Sequence, residues 1–273
     1  MKIIPSGGNP LLLDNDTLNP YRYAFRTIRS RLAWDLSFAS WVSRRRLKAC
    51  RNRNLGQKAV ILCNGPSLNS VDFSALTGIF TIGLNKINLL FSRSAFRPNA
   101  IVSVNPLVLQ QNASFFSETE IELFLDSYAR PLVGMRENVI YLHNTPEPRL
   151  AKDCSVSIHQ GFTVTNVAFQ IAFHLGFTDV AIVGCDHNFA DSGRSNEVVV
   201  GGATDQNHFD KGYFAQGQQW QLPDLIGSEY FYKLAREVYE GSNRRIVNCT
   251  QGGKLELFPR MDLVAWKNTY LRK

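Results

Sequence analysis

Residues 58–68 read KAVILCNGPSL, an unbroken apolar run that stops at an Asn-Gly-Pro-Ser turn. Short apolar runs bounded by turn residues are typical of strands that are buried on both faces of a parallel sheet. The same pattern returns in FTIGLN (80–85) and AIVSVN (100–105), each of which ends in asparagine. The sequence therefore predicts a sheet of parallel strands whose carboxyl ends carry small polar residues.

Strands and helices alternate along the rest of the chain. VIYL (139–142), VAIVGCD (180–186) and RRIVNCT (244–250) predict three further strands, the first of them weaker than the others. One helix is predicted ahead of VAIVGCD and another near residues 228–240. This alternation predicts an α/β fold, a Rossmann-like and mostly parallel sheet with helices on both faces.

The helix ahead of VAIVGCD has the clearest periodicity. In TVTNVAFQIAFHLG (163–176), apolar residues recur at i, i+3, i+4, i+7, i+8 and i+11, as on the apolar face of a helix. We expect Thr163 or Thr165 to cap its first turn and Gly176 to end it. Because free N–H groups at a helix start favour anions, this start is also a candidate phosphate site.

The composition is that of an ordinary globular protein. With 273 residues, 44% hydrophobic and 19% charged, it argues against disordered, collagen-like and coiled-coil architectures. Five scattered cysteines form no CxxC pair, which argues against a disulfide framework or a zinc site and favours a cytoplasmic location. No segment has the roughly 18 consecutive apolar residues of a membrane span, and the first twenty residues lack the pattern of a signal peptide.

The basic excess behind the net charge of +7 lies between Arg22 and Lys58, which hold eleven Lys or Arg and one acidic residue, Asp35. Within residues 21–53 the arginines interleave with apolar residues at near-helical spacing. We predict one or two basic amphipathic helices here. They could pack on the domain with their arginines in water, or dock on an anionic membrane surface or a partner; no nucleic-acid motif accompanies the charge. The expected domains are a basic helical extension (1–55, with an irregular start to about residue 20) and a nucleotide-binding α/β domain (56–273).

The predicted strand ends carry the candidate binding residues. Ligands of open parallel sheets bind at the carboxyl ends of the strands. The small polar residues at these ends are Asn64, Gly65, Pro66, Ser67, Asn85, Asn105 and Asp186. Glycine permits close approach of a ligand, serine can cap a following helix, and asparagine amides suit the edge of a base or ribose. Each could instead be an ordinary turn or cap residue, but together they favour a nucleotide site.

The long polar stretch at about 187–225 is predicted to be a lid, because it exceeds typical connections. It contains His208, flanked by Asp205 and Asp210. A histidine that a carboxylate orients is a candidate general base, although a surface histidine is the simpler interpretation. No pair of carboxylates follows a predicted strand, so no metal is expected. The chain also lacks a P-loop, a GxGxxG and a GxSxG motif.

Three passages of the chain resemble bacterial sialyltransferases of the Campylobacter type and the wider group that includes archaeal 6-hydroxymethylpterin pyrophosphokinase-like proteins. They are AVILCNGPSLNSVDFSAL, the pair TIGLN and VSVNP, and FTVTNVAFQIAFHLGFTDVAIVGCD. The resemblance covers about residues 58–213. It implies a nucleotide-binding domain of glycosyltransferase type A, with a lid that closes over a CMP-activated sugar acid.

The resemblance also implies roles for individual residues. Contacts to cytidine and ribose fall to Asn64, Gly65, Ser67, Asn85 and Asn105, a phosphate turn to Thr163, Val164 and Thr165, and the catalytic base to His208. The chain departs from the family where Val164-Thr165 replaces Ser-Gly, where Gly161-Phe162 replaces an arginine, and where His187-Asn188-Phe189 follows Asp186 in place of tyrosines. Asn188 and Tyr213 are the remaining candidates for a phosphate or lid contact.

The activity implied is that of a metal-independent, inverting glycosyltransferase. It would move a CMP-linked sialic acid or Kdo-like sugar to a glycan or glycolipid acceptor at the cell surface, with residues 21–53 docking it on the inner face of the cytoplasmic membrane. A homo-oligomer is compatible with this function, and no cofactor beyond the donor is expected. Two alternatives are a pyrophosphokinase-like transferase that uses ATP and a pterin-type alcohol, and a non-catalytic nucleotide-binding module of polysaccharide assembly.

Overall fold

The computed structural model describes residues 19–145, 147–190 and 193–269. In chain order, its α-helices are α1 (Pro20–Asp35), α2 (Phe38–Cys50), α3 (Pro106–Gln111), α4 (Ala113–Glu118), α5 (Arg130–Val133), α6 (Val164–Leu175), α7 (Leu225–Glu240) and α8 (Leu263–Asn268). Its strands are β1 (Lys58–Leu62), β2 (Phe80–Leu84), β3 (Ala100–Ser103), β4 (Glu122–Asp126), β5 (Val139–Leu142), β6 (Asn144–Thr145), β7 (Ile158–His159), β8 (Asp179–Val183), β9 (Val198–Val200), β10 (Gln219–Gln221) and β11 (Arg245–Asn248). Most of the predicted irregular start lies outside the described residues.

Seven strands form one parallel sheet in the order β11-β8-β1-β2-β3-β4-β5. Apolar layers cover both of its faces. In β1, Ala59 and Ile61 pack on the side of α2, α6 and α7, whereas Val60 and Leu62 pack on the side of α3, α4 and α8. The predicted α/β class, with a mostly parallel sheet and helices on both faces, is confirmed.

Helix α6 is enclosed against the middle of the sheet. Thr163 Oγ1 accepts a hydrogen bond from the N–H of Thr165, and all residues from 165 to 175 are buried. Gly176 ends the helix with φ of +97°, where a Cβ would also lie 2.9 Å from the Cα of Asn52. The caps predicted at Thr163 and Gly176 are therefore present.

The predicted basic helical segment forms two helices, α1 and α2. Helix α2 is part of the layer on the sheet. Leu47 and Cys50 belong to the same apolar core as α6. Ser43 Oγ accepts a hydrogen bond from the N–H of Tyr141 at 3.0 Å, and Arg46 donates to the carbonyl of Val139 at 3.0 Å. The predicted division of the chain at residue 55 is not tested. Helix α2, which belongs to the expected extension, nevertheless covers β5.

The expected lid contains structure that the sequence did not indicate. Strands β9 and β10 form an antiparallel hairpin, and the segment between them folds over the carboxyl edge of the sheet. Three apolar side chains of this segment and two from β10 and the residue after it are buried in the same layer as Val60: Phe209, Tyr213 and Phe214, then Trp220 and Leu222. We call residues 201–218 the docked loop. Residues 191 and 192 of the expected lid lie outside the described chain.

Candidate functional site

The described chain forms a cavity of about 210 Å³ at the carboxyl edge of the sheet. Residues that follow β1, β2, β3 and β8 line it, together with the start of α6 and part of the docked loop. Ten predicted site residues line this cavity: Asn64, Gly65, Asn85, Asn105, Thr163, Val164, Thr165, Asp186, Asn188 and His208. Pro66, Ser67 and Tyr213 are not among its lining residues. The fold thus brings most of the predicted set together.

Asn64 is the strand-end residue best placed for a ligand. It follows β1 and Cys63, and its main-chain carbonyl accepts a hydrogen bond from the N–H of Phe209 at 2.9 Å. Its side-chain Oδ1 is buried and has no hydrogen-bond partner within the described chain. A buried acceptor without a partner is costly, so a donor from a ligand in the cavity would stabilise this site.

The carboxylate of Asp186 lies against the turn that follows Asn64. Ser67 donates two hydrogen bonds to Asp186 Oδ2, one from its N–H at 3.2 Å and one from Oγ at 2.8 Å. A Cβ at Gly65 would lie 2.0 Å from that carboxylate oxygen, so the glycine is needed for this contact. The expected contacts of Gly65 and Ser67 to cytidine and ribose stay a prediction. The close partner of both residues in the structure is Asp186, and Pro66 is exposed beside them.

Asn85 and Asn105 contact neighbouring protein groups as well as lining the cavity. Asn105 Oδ1 caps α3 by accepting from the N–H of Leu107 at 2.9 Å, and its Nδ2 donates to Gln221 Oε1 at 2.9 Å. Asn85, which has φ of +49°, accepts a hydrogen bond from Ser103 Oγ at 3.1 Å. For Asn105, the helix cap accounts for Oδ1 and the contact with Gln221 accounts for Nδ2.

The start of α6 faces the cavity, as the sequence predicts. Thr163 and Val164 line it, and Thr163 Oγ1 also lies 3.3 Å from the hydroxyl of Tyr232. Thr165 is buried, with its hydroxyl 3.7 Å from Cys63 Sγ. The N-terminus of a helix this long carries a partial positive charge, so the wall of the cavity at Thr163 suits an anion.

His208 reaches the cavity from the docked loop and is held by Asp205. His208 Nδ1 lies 2.8 Å from Asp205 Oδ2, which also accepts a hydrogen bond from the N–H of Phe214. Burial raises the pKa of Asp205, but hydrogen bonds from His208 and from main-chain N–H groups outweigh it and keep the pKa below its usual value. An ionised carboxylate only accepts hydrogen bonds, so the Nδ1 that faces Asp205 carries a proton, and in the neutral tautomer of His208 the lone pair lies on Nε2.

The imidazole of His208 is fixed in place by aromatic rings. It stacks on Tyr213 with ring centroids 4.1 Å apart and an interplanar angle of 4°, and the edges of Phe214 and Trp220 lie near it. No hydrogen bond to His208 Nε2 is made within the described chain, and the side chain is 13% exposed. The geometry is that of a carboxylate-oriented base with one nitrogen available to a ligand.

Tyr213 has a different place from the one expected. It is buried behind His208, and its hydroxyl accepts a hydrogen bond from the N–H of Lys86 at 3.3 Å. Tyr213 therefore supports the ring of His208 and does not line the cavity, and its expected contact to phosphate stays a prediction.

Lys86 does not line the cavity but fixes the docked loop beside it, and sequence reasoning missed this residue. Its Nζ donates to the carbonyl of Tyr213 and to Gln218 Oε1, both at 2.7 Å, and lies 4.4 Å from the centre of the Phe214 ring. Burial lowers the pKa of Lys86 to about 8, although the nearby Asp205 carboxylate opposes this effect. Lys86 joins the end of β2 to the docked loop. The only sequence signal was its place directly after Asn85.

His187 and Asn188 lie at the other side of the cavity, after β8. His187 has φ of +50°, and its Nε2 lies 2.9 Å from Glu229 Oε1 on α7. Asn188 is exposed and lines the cavity. Asp186 is the one carboxylate among the described lining residues, and within the described chain no three His, Cys, Asp or Glu side chains are grouped to hold a metal.

The parallel sheet and the polar cavity at its carboxyl edge place the protein among Rossmann-like α/β proteins. Residues 37–192 match the family model of the MptE-like proteins, described as 6-hydroxymethylpterin diphosphokinase MptE-like. The chain belongs to this family, and the predicted resemblance to pyrophosphokinase-like proteins is confirmed.

One solved structure with a similar fold is the MAf glycosyltransferase from Magnetospirillum magneticum AMB-1. The sequences are 16% identical, the TM-score is 0.50, and the match covers 80% of this chain and 35% of the other. This chain thus spans about a third of that protein, and at this identity the likeness concerns the fold. No curated protein matches the chain.

Proposed function

We propose that the protein is a transferase that moves a sugar acid from a CMP-activated donor to a hydroxyl group of a cell-surface glycan. The observation that carries the proposal is the Asp205–His208 pair, which offers an oriented imidazole nitrogen to the cavity that Asn64 also lines. The fold shared with a glycosyltransferase and the resemblance to sialyltransferases support the choice of glycosyl transfer.

In this reaction His208 Nε2 takes the proton from the acceptor hydroxyl. The hydroxyl oxygen then forms a bond to the anomeric carbon of the sugar acid, while the bond from that carbon to the phosphate oxygen breaks. CMP leaves with the electron pair of the broken bond. The resulting imidazolium is stabilised by the Asp205 carboxylate at 2.8 Å.

The remaining lining residues would hold the nucleotide. The unpartnered Oδ1 of Asn64 can accept from an amino or hydroxyl group, and the start of α6 at Thr163 can stabilise the phosphate as its charge increases. Asp186 stays bound to Ser67 and shapes the turn at Gly65. A monophosphate leaving group needs little further charge, and one helix N-terminus is suited to it.

A second candidate is diphosphate transfer from ATP to a pterin-type alcohol, which the description of the family favours. The same histidine would deprotonate the alcohol. Mg²⁺ usually binds one or two carboxylates together with substrate phosphates, and the described cavity offers Asp186 alone, with Oδ2 already bound to Ser67. The residues present therefore fit Mg²⁺–ATP less well than a CMP-linked donor.

The test is release of CMP from CMP-linked sialic acid and Kdo, measured for wild type, His208→Ala and Asp205→Asn. General bases contribute about 10²–10⁴-fold, so we expect His208→Ala to lose at least about 100-fold in rate. Asp210→Asn is the matched control, because Asp210 flanks the same histidine but bonds to the N–H of Gly212. Equal rates in wild type and His208→Ala would contradict the proposal.

Thermal shifts with CMP, CDP, UDP, GDP and ATP, with and without Mg²⁺, separate the candidates. A ligand that binds only the folded state raises the melting temperature with its affinity. Glycosyl transfer predicts the largest shift with CMP and no Mg²⁺ requirement, whereas diphosphate transfer predicts a shift with ATP that depends on Mg²⁺. CMP binding without turnover of any donor would favour the non-catalytic module.

A further inference from the structure

Helix α1 carries an apolar stripe that faces away from the protein. The stripe consists of Tyr21, Phe25, Ile28 and Leu32 on the helix and Leu36 at its C-cap, which are between 53% and 85% exposed. Their spacing of i, i+4, i+7, i+11 and i+15 places them on one helix face. At 100° per residue, the buried Trp34 lies about 180° around the helix from Phe25. The contact with the domain and the stripe are therefore on opposite sides of α1.

The flank of the stripe is cationic. Arg22, Arg26 and Arg29 are exposed and lie within about 100° of Phe25, all on the same side. The single acidic residue of α1 and α2 is Asp35, and its carboxylate is held by Arg31 at 2.7 Å and Arg44 at 3.1 Å. Arg26 and Arg29 have no acidic partner within the described chain. The exposed face thus combines apolar side chains with positive charge.

Exposed aromatic residues continue this surface at the start of α2. Phe38 and Trp41 are both exposed and stack on each other at 6.0 Å, and the Arg45 guanidinium lies 5.9 Å from the Trp41 ring. Aromatic rings beside basic side chains are favoured at the level of lipid headgroups. With 16 residues, α1 is about 24 Å long. No described helix is long and apolar enough to cross a bilayer, so α1 would lie in the plane of its surface.

We infer that the α1 stripe binds the surface of a bilayer that contains anionic phospholipids. A second copy of the chain is the less suitable occupant, because a symmetric contact would bring the arginine flanks of two molecules together. Lipid phosphates match those arginines, and acyl chains match the stripe. This inference does not depend on the proposed transferase activity.

The position of α1 relates this surface to the candidate site. Trp34 stacks on His143, which directly follows the last residue of β5, so the end of α1 lies at the carboxyl edge of the sheet. The cavity opens at the same edge. A bilayer bound to α1 would therefore lie toward the edge of the molecule from which a ligand enters.

The test is flotation of the full chain with vesicles of phosphatidylcholine alone or with a quarter phosphatidylglycerol. We expect the wild type to partition at least about tenfold more into the anionic vesicles, and this preference to fall in high salt. Ile28→Ser with Leu32→Ser should lose at least about tenfold in partitioning. Leu55→Ser is the matched control, because Leu55 is 65% exposed but lies outside the stripe.

Charge is tested separately by Arg26→Gln with Arg29→Gln, matched in net charge by Lys48→Gln with Lys233→Gln. Only the arginine pair should weaken binding to anionic vesicles. Unchanged melting temperatures establish that the exposed substitutions leave the fold intact. Failure of the wild type to float, or equal flotation of the stripe variant, overturns the inference. Concentration-dependent dimers that the stripe variant abolishes, without flotation, would assign the surface to a second copy and also overturn it.

Discussion

Gly65 shows at the scale of one residue how the site excludes a side chain. Its backbone lies against Asp186, and a Cβ there would be 2.0 Å from Oδ2 and 2.7 Å from the carbonyl oxygen of Gly184. Gly65→Ala should therefore break the contact between Ser67 and Asp186 and lower the free energy of unfolding by about 1–3 kcal/mol. Urea unfolding measures this loss. Gly202→Ala is the control, because a Cβ at Gly202 meets nothing within 4 Å; equal stability of the two variants would contradict the prediction.

Lys86 makes the stability of the protein depend on pH. Burial lowers its pKa from 10.5 to about 8, so between these values the unfolded chain binds more protons than the folded one. The contribution of Lys86 to the free energy of unfolding should therefore increase as the pH rises from 8 toward 10.5. Lys86→Met lacks this contribution but fills a similar volume.

The measurement is urea unfolding of wild type and Lys86→Met at pH 7 and pH 9.5. Groups common to both proteins cancel. We expect the free energy of unfolding of the wild type to rise by about 2 kcal/mol relative to that of the variant between the two pH values. A constant difference would mean that Lys86 has an ordinary pKa and that the docked loop does not desolvate it.

The hydrogen bonds at the start of α6 can be tested at the scale of the element. Thr163→Ala removes the acceptor for the N–H of Thr165 and should cost about 1 kcal/mol of stability. Thr163→Ser keeps the hydroxyl and should restore most of that loss in thermal unfolding. If alanine and serine behave alike, the methyl group of Thr163 rather than its hydroxyl stabilises this end of α6.

Elements with a strong local pattern were predictable from the sequence, and those set by tertiary packing were not. Six strands of the large sheet and α6 follow from periodicity and caps. β4 was missed because only Leu123, Phe124 and Leu125 form its apolar run, between Glu122 and Asp126. The β9–β10 hairpin was missed because Val198 and Val200 are exposed in a polar stretch.

Part of the candidate site was likewise predictable from the sequence, and part depends on tertiary contacts. The strand-end asparagines could be placed at one edge because parallel strands bring their carboxyl ends together. The contact between Ser67 and Asp186 joins residues that are 119 positions apart, so no local sequence pattern predicts it. Likewise, the stack of His208 on Tyr213 and the bonds from Lys86 to the docked loop exist only after the loop folds onto β2.

At the scale of the whole molecule, the position of α2 decides where the folding unit begins. Leu47 and Cys50 fill the core beside α6, and Ser43 and Arg46 bond to β5. A chain of residues 56–273 would leave that core open to water. A chain of residues 37–273 keeps all of these contacts and loses α1, including the buried ring of Trp34.

We therefore expect residues 37–273 to unfold cooperatively in urea, at a lower midpoint than the full chain because burial of Trp34 is lost. Loss of one buried tryptophan costs about 3–5 kcal/mol. Residues 56–273 should show no cooperative transition, since each unmade contact of α2 exposes part of the layer on β5 and α6. Circular dichroism and tryptophan fluorescence followed together measure both transitions. If the two shortened chains unfolded at the same midpoint, α2 would not contribute to the stability of the domain, and the folding unit would begin at residue 56.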